Sequence, residues 1–87
     1  MIYMKKRPAL LIKMCVLTEL RDGPLGPTRL ARVCNIPFDR LSTYLDPLLV
    51  KELIREEFSG GHELYHLKPD GLQVLKDFEL VIERVTP

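Results

Sequence analysis

Residues 26–71 read GPTRLARVCNIPFDRLSTYLDPLLVKELIREEFSGGHELYHLKPDG. Prolines and glycines cut this stretch into short pieces, each with its own apolar period. Pro27 opens the first piece, and proline suits a first helical turn because the N–H it lacks would be unpaired there anyway. Leu30, Ala31 and Cys34 then share one helical face while Arg29 and Arg32 face out, which predicts a helix from Pro27 to about Cys34. Asn35-Ile36 interrupts it: Asn tolerates the left-handed conformation of a tight turn, and Ile36 can plug a core. A second helix is expected from Pro37 toward Lys51, with Leu41, Tyr44, Leu45 and Leu48 inward and Asp39, Arg40, Thr43 and Asp46 outward. Pro47 conflicts with that helix. An interior proline removes a backbone bond at a cost of about 3 kcal/mol, so a kink or one-turn break is expected between residues 43 and 46. The pattern then changes to two strands, Ile54 to Phe58 and Glu63 to Leu67, around Ser59-Gly60-Gly61-His62. Paired glycines supply the positive φ that a tight hairpin needs.

On the N-terminal side, Pro8 to Arg21 reads as a helix with Leu10, Met14 and Leu17 as one stripe and Leu11, Cys15 and Val16 beside it. Asp22-Gly23-Pro24 ends it. Leu25, isolated between Pro24 and Gly26, suits a very short third strand against the hairpin. On the C-terminal side, Pro69 opens a helix to about Val85, in which Leu75, Phe78, Ile82 and Val85 recur at spacings of 3, 4 and 3. That is a heptad seam two repeats long. The expected fold class is mainly α with a small β-hairpin: helix, helix–turn–helix, hairpin, helix.

The chain has 87 residues, 46% hydrophobic and 29% charged, which is ordinary composition for one globular domain. We treat residues 1–87 as a single domain, with residues 1–7 a basic arm and residues 69–85 a terminal helix. The formal net charge is only +1, so bulk charge gives no support to nucleic-acid binding. The two cysteines, Cys15 and Cys34, form no CxxC pair, and two histidines offer no clustered ligand set, so no metal and no cofactor is expected. Both thiols read as small buried hydrophobes of a reduced cytoplasm, with a disulfide between them the less favoured alternative. Lys5, Lys6 and Arg7 ahead of ALLIKMCVL resemble a secretory leader. Lys13 breaks that run, no small-residue cleavage site follows, and it is too short to span a membrane. A cytoplasmic protein with no membrane partner is therefore expected. No GxSxG, phosphate loop or credible carboxylate pair is present, so the chain does not read as an enzyme.

Four motifs carry a family resemblance: Thr28-Arg29-Leu30; Tyr44-Leu45 with Leu48-Leu49; Glu52-Leu53-Ile54; and Tyr65-His66-Leu67 with Gly71. In order and spacing they resemble the small archaeal winged helix-turn-helix DNA-binding proteins and transcriptional regulators, over nearly the whole chain from about Leu11. Two residues depart from that pattern. Glu52 stands where the family has Gly at a helix end, so a non-glycine residue must turn left-handed there. Lys68 replaces the Thr before the last helix, so the usual side-chain cap is missing. The resemblance implies a winged helix whose last helix pairs two subunits.

In such a fold the second helix of the helix–turn–helix enters a DNA groove. Arg40, Ser42 and Thr43 are the candidate base and phosphate contacts on it. Thr28 and Arg29 are candidate phosphate contacts on the helix before, where backbone amides at the helix start could add another. Arg55 and His62 are the wing's candidates, although a wing tip that is nearly uncharged should give phosphate contacts at best. Lys5, Lys6 and Arg7 form an arm able to reach a neighbouring groove. Leu75, Phe78, Ile82 and Val85 are the candidate dimer interface. Expected partners are double-stranded DNA and a second copy of the chain. Asp39 and Asp46 repel phosphate, which keeps open a protein-interaction module, or an architectural chromatin protein with no sequence preference. His62 and His66, four apart, would suit a metal on a helix, but a hairpin position removes that reading. Nothing in the sequence bears on a small-molecule effector.

Overall fold

The computed structural model describes residues 7–87. Its elements run α1 (Ala9–Arg21), α2 (Pro27–Val33), a 3-10 turn (Phe38–Arg40), α3 (Leu41–Val50), β1 (Ile54–Ser59), β2 (His62–Leu67) and α4 (Pro69–Val85). The element order is the expected one, and both strands extend one residue further toward the turn.

The helix–turn–helix is held by two caps of one kind. After α2, Asn35 takes φ 55°, and the amides of Asn35 and Ile36 reach back to the carbonyls of Arg32 (3.2 Å) and Ala31 (2.8 Å). After α3, Glu52 takes φ 58°, and the amides of Glu52 and Leu53 reach back to Leu49 (3.0 Å) and Leu48 (2.9 Å). This is the Schellman pattern, which uses a left-handed residue to satisfy the last carbonyls of a helix. It turns Ile36 into the core, where it is buried as expected.

Leu41, Leu45 and Leu48 bury the inner face of α3, and Leu30, Ala31 and Cys34 that of α2. Val16, Leu17 and Leu20 of α1, Ile54 and Tyr65 of the hairpin, and Leu75 of α4 complete one core. The hairpin pairs Ile54 with Leu67 and Ser59 with His62, closing on Gly60 and Gly61 at φ 57° and 80°. Positive φ at both central residues is what a two-residue hairpin turn requires. Leu25 bridges Tyr65 in both directions, donating at 3.2 Å and accepting at 2.8 Å, so the expected third strand is a single residue. It ties the α1–α2 linker to β2.

Two expectations are corrected. No break occurs at Pro47: α3 is continuous from Leu41 to Val50, and the irregular segment lies at its start, as the 3-10 turn. Thr43, whose carbonyl loses its partner to Pro47, sits on the exposed face, where water can replace the missing N–H. The stripe assigned to the first helix is also rotated. Leu10 and Leu11 are 58% and 46% exposed, while Ile12 and Leu20 are buried. The apolar arc of that helix is wide, so periodicity alone cannot choose the inward side.

Candidate nucleic-acid interface

The leucines that anchor α3 fix what it shows to solvent. Ser42, Thr43 and Asp46 are exposed along its outer side, and Phe38, Asp39 and Arg40, also exposed, precede them in the 3-10 turn. Phe38 is 62% exposed beside Arg40, and sequence reading did not single it out. By helical spacing it would continue the Leu41, Leu45, Leu48 stripe inward, but it lies in the 3-10 turn and is exposed. Thr28, Arg29 and Arg32 are exposed on α2. The start of α2 lies against the wing, where Gly26, Thr28 and Arg29 border a cleft with Gly61, His62 and Glu63. The start of α2 and the wing tip therefore border one surface.

Lys5 and Lys6 lie outside the described residues. Arg7 is placed on the helix–turn–helix itself. Its Nη2 donates to the carbonyls of Cys34 (2.6 Å) and Asn35 (3.1 Å), at the end of α2. A cation suits that helix terminus because the last carbonyls carry partial negative charge. Arg7 and Arg40 also line one cleft of about 280 Å³ with Asn35 and Tyr44. No carboxylate pairs with Arg29, Arg40 or Arg55 among the described residues.

The wing is acidic where it was expected to be nearly neutral. Its tip carries only His62, but its strands carry Glu56, Glu57 and Glu63 beside Arg55 and His66. Strand alternation divides these between two faces. On one face the Tyr65 hydroxyl donates to Glu63 (2.8 Å) and lies 3.4 Å from Glu56. The hydrogen bond between the two carboxyls raises Glu56 above the ordinary carboxylate range. That bond, followed by the one from Tyr65, lowers Glu63. Asp46 of α3 adds to the upward push on Glu56. On the other face His66 Nε2 meets Glu57 Oε1 at 2.5 Å. His62 and His66 lie on one strand of the hairpin, as expected, and no group of three ligating side chains that could hold a metal occurs among the described residues.

Leu75 is 2% exposed and belongs to the chain's own core, while Phe78 is half-buried. Further along α4, Leu80, Val81, Ile82 and Val85 are 56%, 56%, 46% and 72% exposed. A groove of about 340 Å³ runs between α1 and α4, lined by Met14, Thr18, Leu75, Phe78 and Ile82 and edged by Glu79 and Glu83. Arg21 pairs with Glu79 at 3.0 Å and ties the end of α1 to α4. No helix among the described residues is long and apolar enough to cross a membrane.

Comparison with known proteins agrees with this geometry. The family description of winged helix-turn-helix proteins matches residues 6–85. No curated protein matches the chain in sequence. Among solved structures, the chain is similar to a PadR family transcription regulator from Clostridium difficile R20291, with a TM-score of 0.79 and 14% identity, over 85% of this chain and 88% of that one. It is similar to Sso10a-2, a DNA-binding protein from Sulfolobus solfataricus, with a TM-score of 0.77 and 19% identity, over 88% and 80%. It is also similar to Bordetella bronchiseptica BpsR, whose DNA binding is regulated by 6-hydroxynicotinic acid, with a TM-score of 0.76 and 20% identity. That match takes in 84% of this chain but only 55% of BpsR, so the chain spans about half of that relative's length. At these identities the likeness is one of fold.

Proposed function

Because the chain belongs to the winged helix-turn-helix family, we propose that it is a cytoplasmic, non-catalytic protein that binds double-stranded DNA sequence-specifically, as a homodimeric transcriptional regulator. The observation that carries this reading is the outer side of α3. Buried leucines anchor it, and together with the 3-10 turn before it, it offers Arg40, Ser42 and Thr43 to solvent, while Arg29 of α2 is exposed and pairs with no carboxylate among the described residues. Arg40 would read a guanine edge or a phosphate, and Ser42 and Thr43 would add base or phosphate contacts. Thr28, Arg29 and the first amides of α2 would hold a phosphate, with Arg55 and His62 contacting the backbone from the wing. Arg7 would steady the turn, with Lys5 and Lys6 reaching further along the duplex. Placement among the small archaeal members of the family rests on the four sequence motifs.

The test is selection of a preferred site from random duplexes, followed by titration at several salt concentrations. Arg40→Ala should lose affinity mainly through one base position, by about 1–3 kcal/mol, whereas Arg29→Ala should weaken all sequences alike and lower the salt slope by about one. Equal loss across all sequences for Arg40→Ala would demote it to a phosphate contact.

A second reading is favoured by one feature. Asp39, Asp46, Glu56 and Glu63 put negative charge along the surface that would face phosphate, and Phe38 is exposed among them. That combination suits a docking surface for a protein. Absence of any binding to random duplex at low salt would favour it, because phosphate contacts alone give measurable affinity there. Binding without sequence preference would favour an architectural role.

A further inference from the structure

Cys15 on α1 and Cys34 at the end of α2 are both free thiols, and their Sγ atoms lie 2.8 Å apart. The two residues are separated by 19 positions, so the fold alone brings them together. Cys34 is 1% exposed and Cys15 is half-buried. Arg7, just ahead of α1, donates to the carbonyls of Cys34 and Asn35, so a second link holds the start of α1 against this turn. A disulfide bond is about 2.05 Å long, so less than 1 Å of approach separates this pair from a covalent bond.

We propose that Cys15 and Cys34 form a reversible dithiol–disulfide site which, when oxidised, staples α1 to the helix–turn–helix in its existing geometry. The oxidant class is a small soluble disulfide. Cys15, the more accessible thiol, loses its proton to water and attacks one sulfur of the oxidant. The oxidant's S–S bond breaks, one thiol leaves, and a mixed disulfide remains on Cys15. Cys34 then gives up its proton and attacks Cys15 Sγ, expelling the second thiol. The protein pair loses two electrons and two protons, and the oxidant becomes two thiols. Burial and the neighbouring Cys15 thiol raise the Cys34 pKa well above the ordinary thiol range, so Cys34 is the poorer first nucleophile. The cross-link restricts the unfolded chain and leaves the outer side of α3 where it is.

The test equilibrates the full chain with mixtures of oxidised and reduced glutathione, followed by intact mass and calorimetry. The expected result is loss of two hydrogen masses within a single chain, a Tm higher by about 10 °C, and unchanged affinity for duplex DNA. Cys15→Ser should show neither the mass loss nor the Tm rise, and its half-buried site keeps that variant folded. A wild-type chain that stays fully reduced in oxidised glutathione alone would overturn the proposal. So would cross-linking only between chains, or a lower Tm on oxidation. The DNA arm stands apart: a chain that oxidises within itself but binds no duplex would refute the DNA reading and leave the thiol site intact.

Discussion

Single backbone angles decide the joints of this molecule. Asn35 and Glu52 both sit left-handed at the end of a helix, but Asn bears that conformation with little strain and Glu does not. Glu52 is retained there with its carboxylate 2.9 Å from Lys68 Nζ, an exposed pair across the base of the wing. Glu52→Gly should therefore raise the Tm at neutral pH, by roughly 4 °C, because relief of the backbone outweighs loss of a surface ion pair. Its pH dependence has a definite sign. The hydrogen bond from Lys68 lowers the Glu52 pKa from its ordinary 4.5. The pair thus stabilises the fold above pH 4.5, and that stabilisation is lost as pH falls through the folded-state value. The advantage of the glycine variant should be larger at pH 3 than at pH 7. A lower Tm at pH 7, or an advantage that shrinks in acid, would contradict the argument. Both left-handed positions were legible in the sequence, since Asn35 sits in a polar break and Glu52 occupies a glycine position of the family pattern. The continuity of α3 through Pro47 was legible as well, because Thr43 was already expected on the wet side of the helix, where water can replace the missing N–H.

Among the glycines, the tightest approach between elements is that of α4 to the base of the wing. A Cβ built on Gly71 would lie 2.1 Å from the Leu53 carbonyl oxygen and 2.7 Å from Leu67 Cδ1. That carbonyl already accepts the Lys68 amide at 3.0 Å, so it is held in place. In an open helix Gly→Ala gains about 1 kcal/mol. Here Gly71→Ala should instead cost about 2 kcal/mol, because α4 must back away from β1 and β2. Chemical denaturation of the two proteins measures the difference, and a neutral or stabilising result would mean that α4 can slide freely on the wing. At this scale the sequence was most informative where polar and apolar residues alternate sharply, as in α3 and the hairpin. It was least informative for α1, where almost any face could be inward. The acid on the wing was legible as composition, but the Glu56–Glu63–Tyr65 cluster was not, since it depends on the strand register.

Taken whole, the molecule leaves one apolar surface unexplained by its own fold. Leu75 is consumed by the core, but Ile82 and Val85 continue its line outward with Val81 beside them. By helical spacing Leu10 lies one turn before Met14, which lines the groove against α4, so the exposed end of α1 extends the same surface. We propose that a second copy covers it through Phe78, Ile82 and Val85. Burying an Ile, Leu or Val side chain fully stabilises by about 1.5–3 kcal/mol. Three partly covered side chains on each of two copies therefore give on the order of 5–10 kcal/mol, before an association cost of about 4–15 kcal/mol. The balance suits a dimer that dissociates on dilution rather than an obligate one. Sedimentation equilibrium should accordingly show a concentration-dependent dimer for the natural chain. Ile82→Asp should give a monomer at every concentration with a nearly unchanged Tm, because Ile82 is 46% exposed within one chain. If that variant still dimerises, the shared surface lies elsewhere. If it is monomeric and yet binds a two-fold symmetric site as tightly as the natural chain, the pairing of subunits contributes nothing to DNA recognition. The expected outcome is that it keeps half-site contacts and loses the gain that comes from linking two binding surfaces in one molecule.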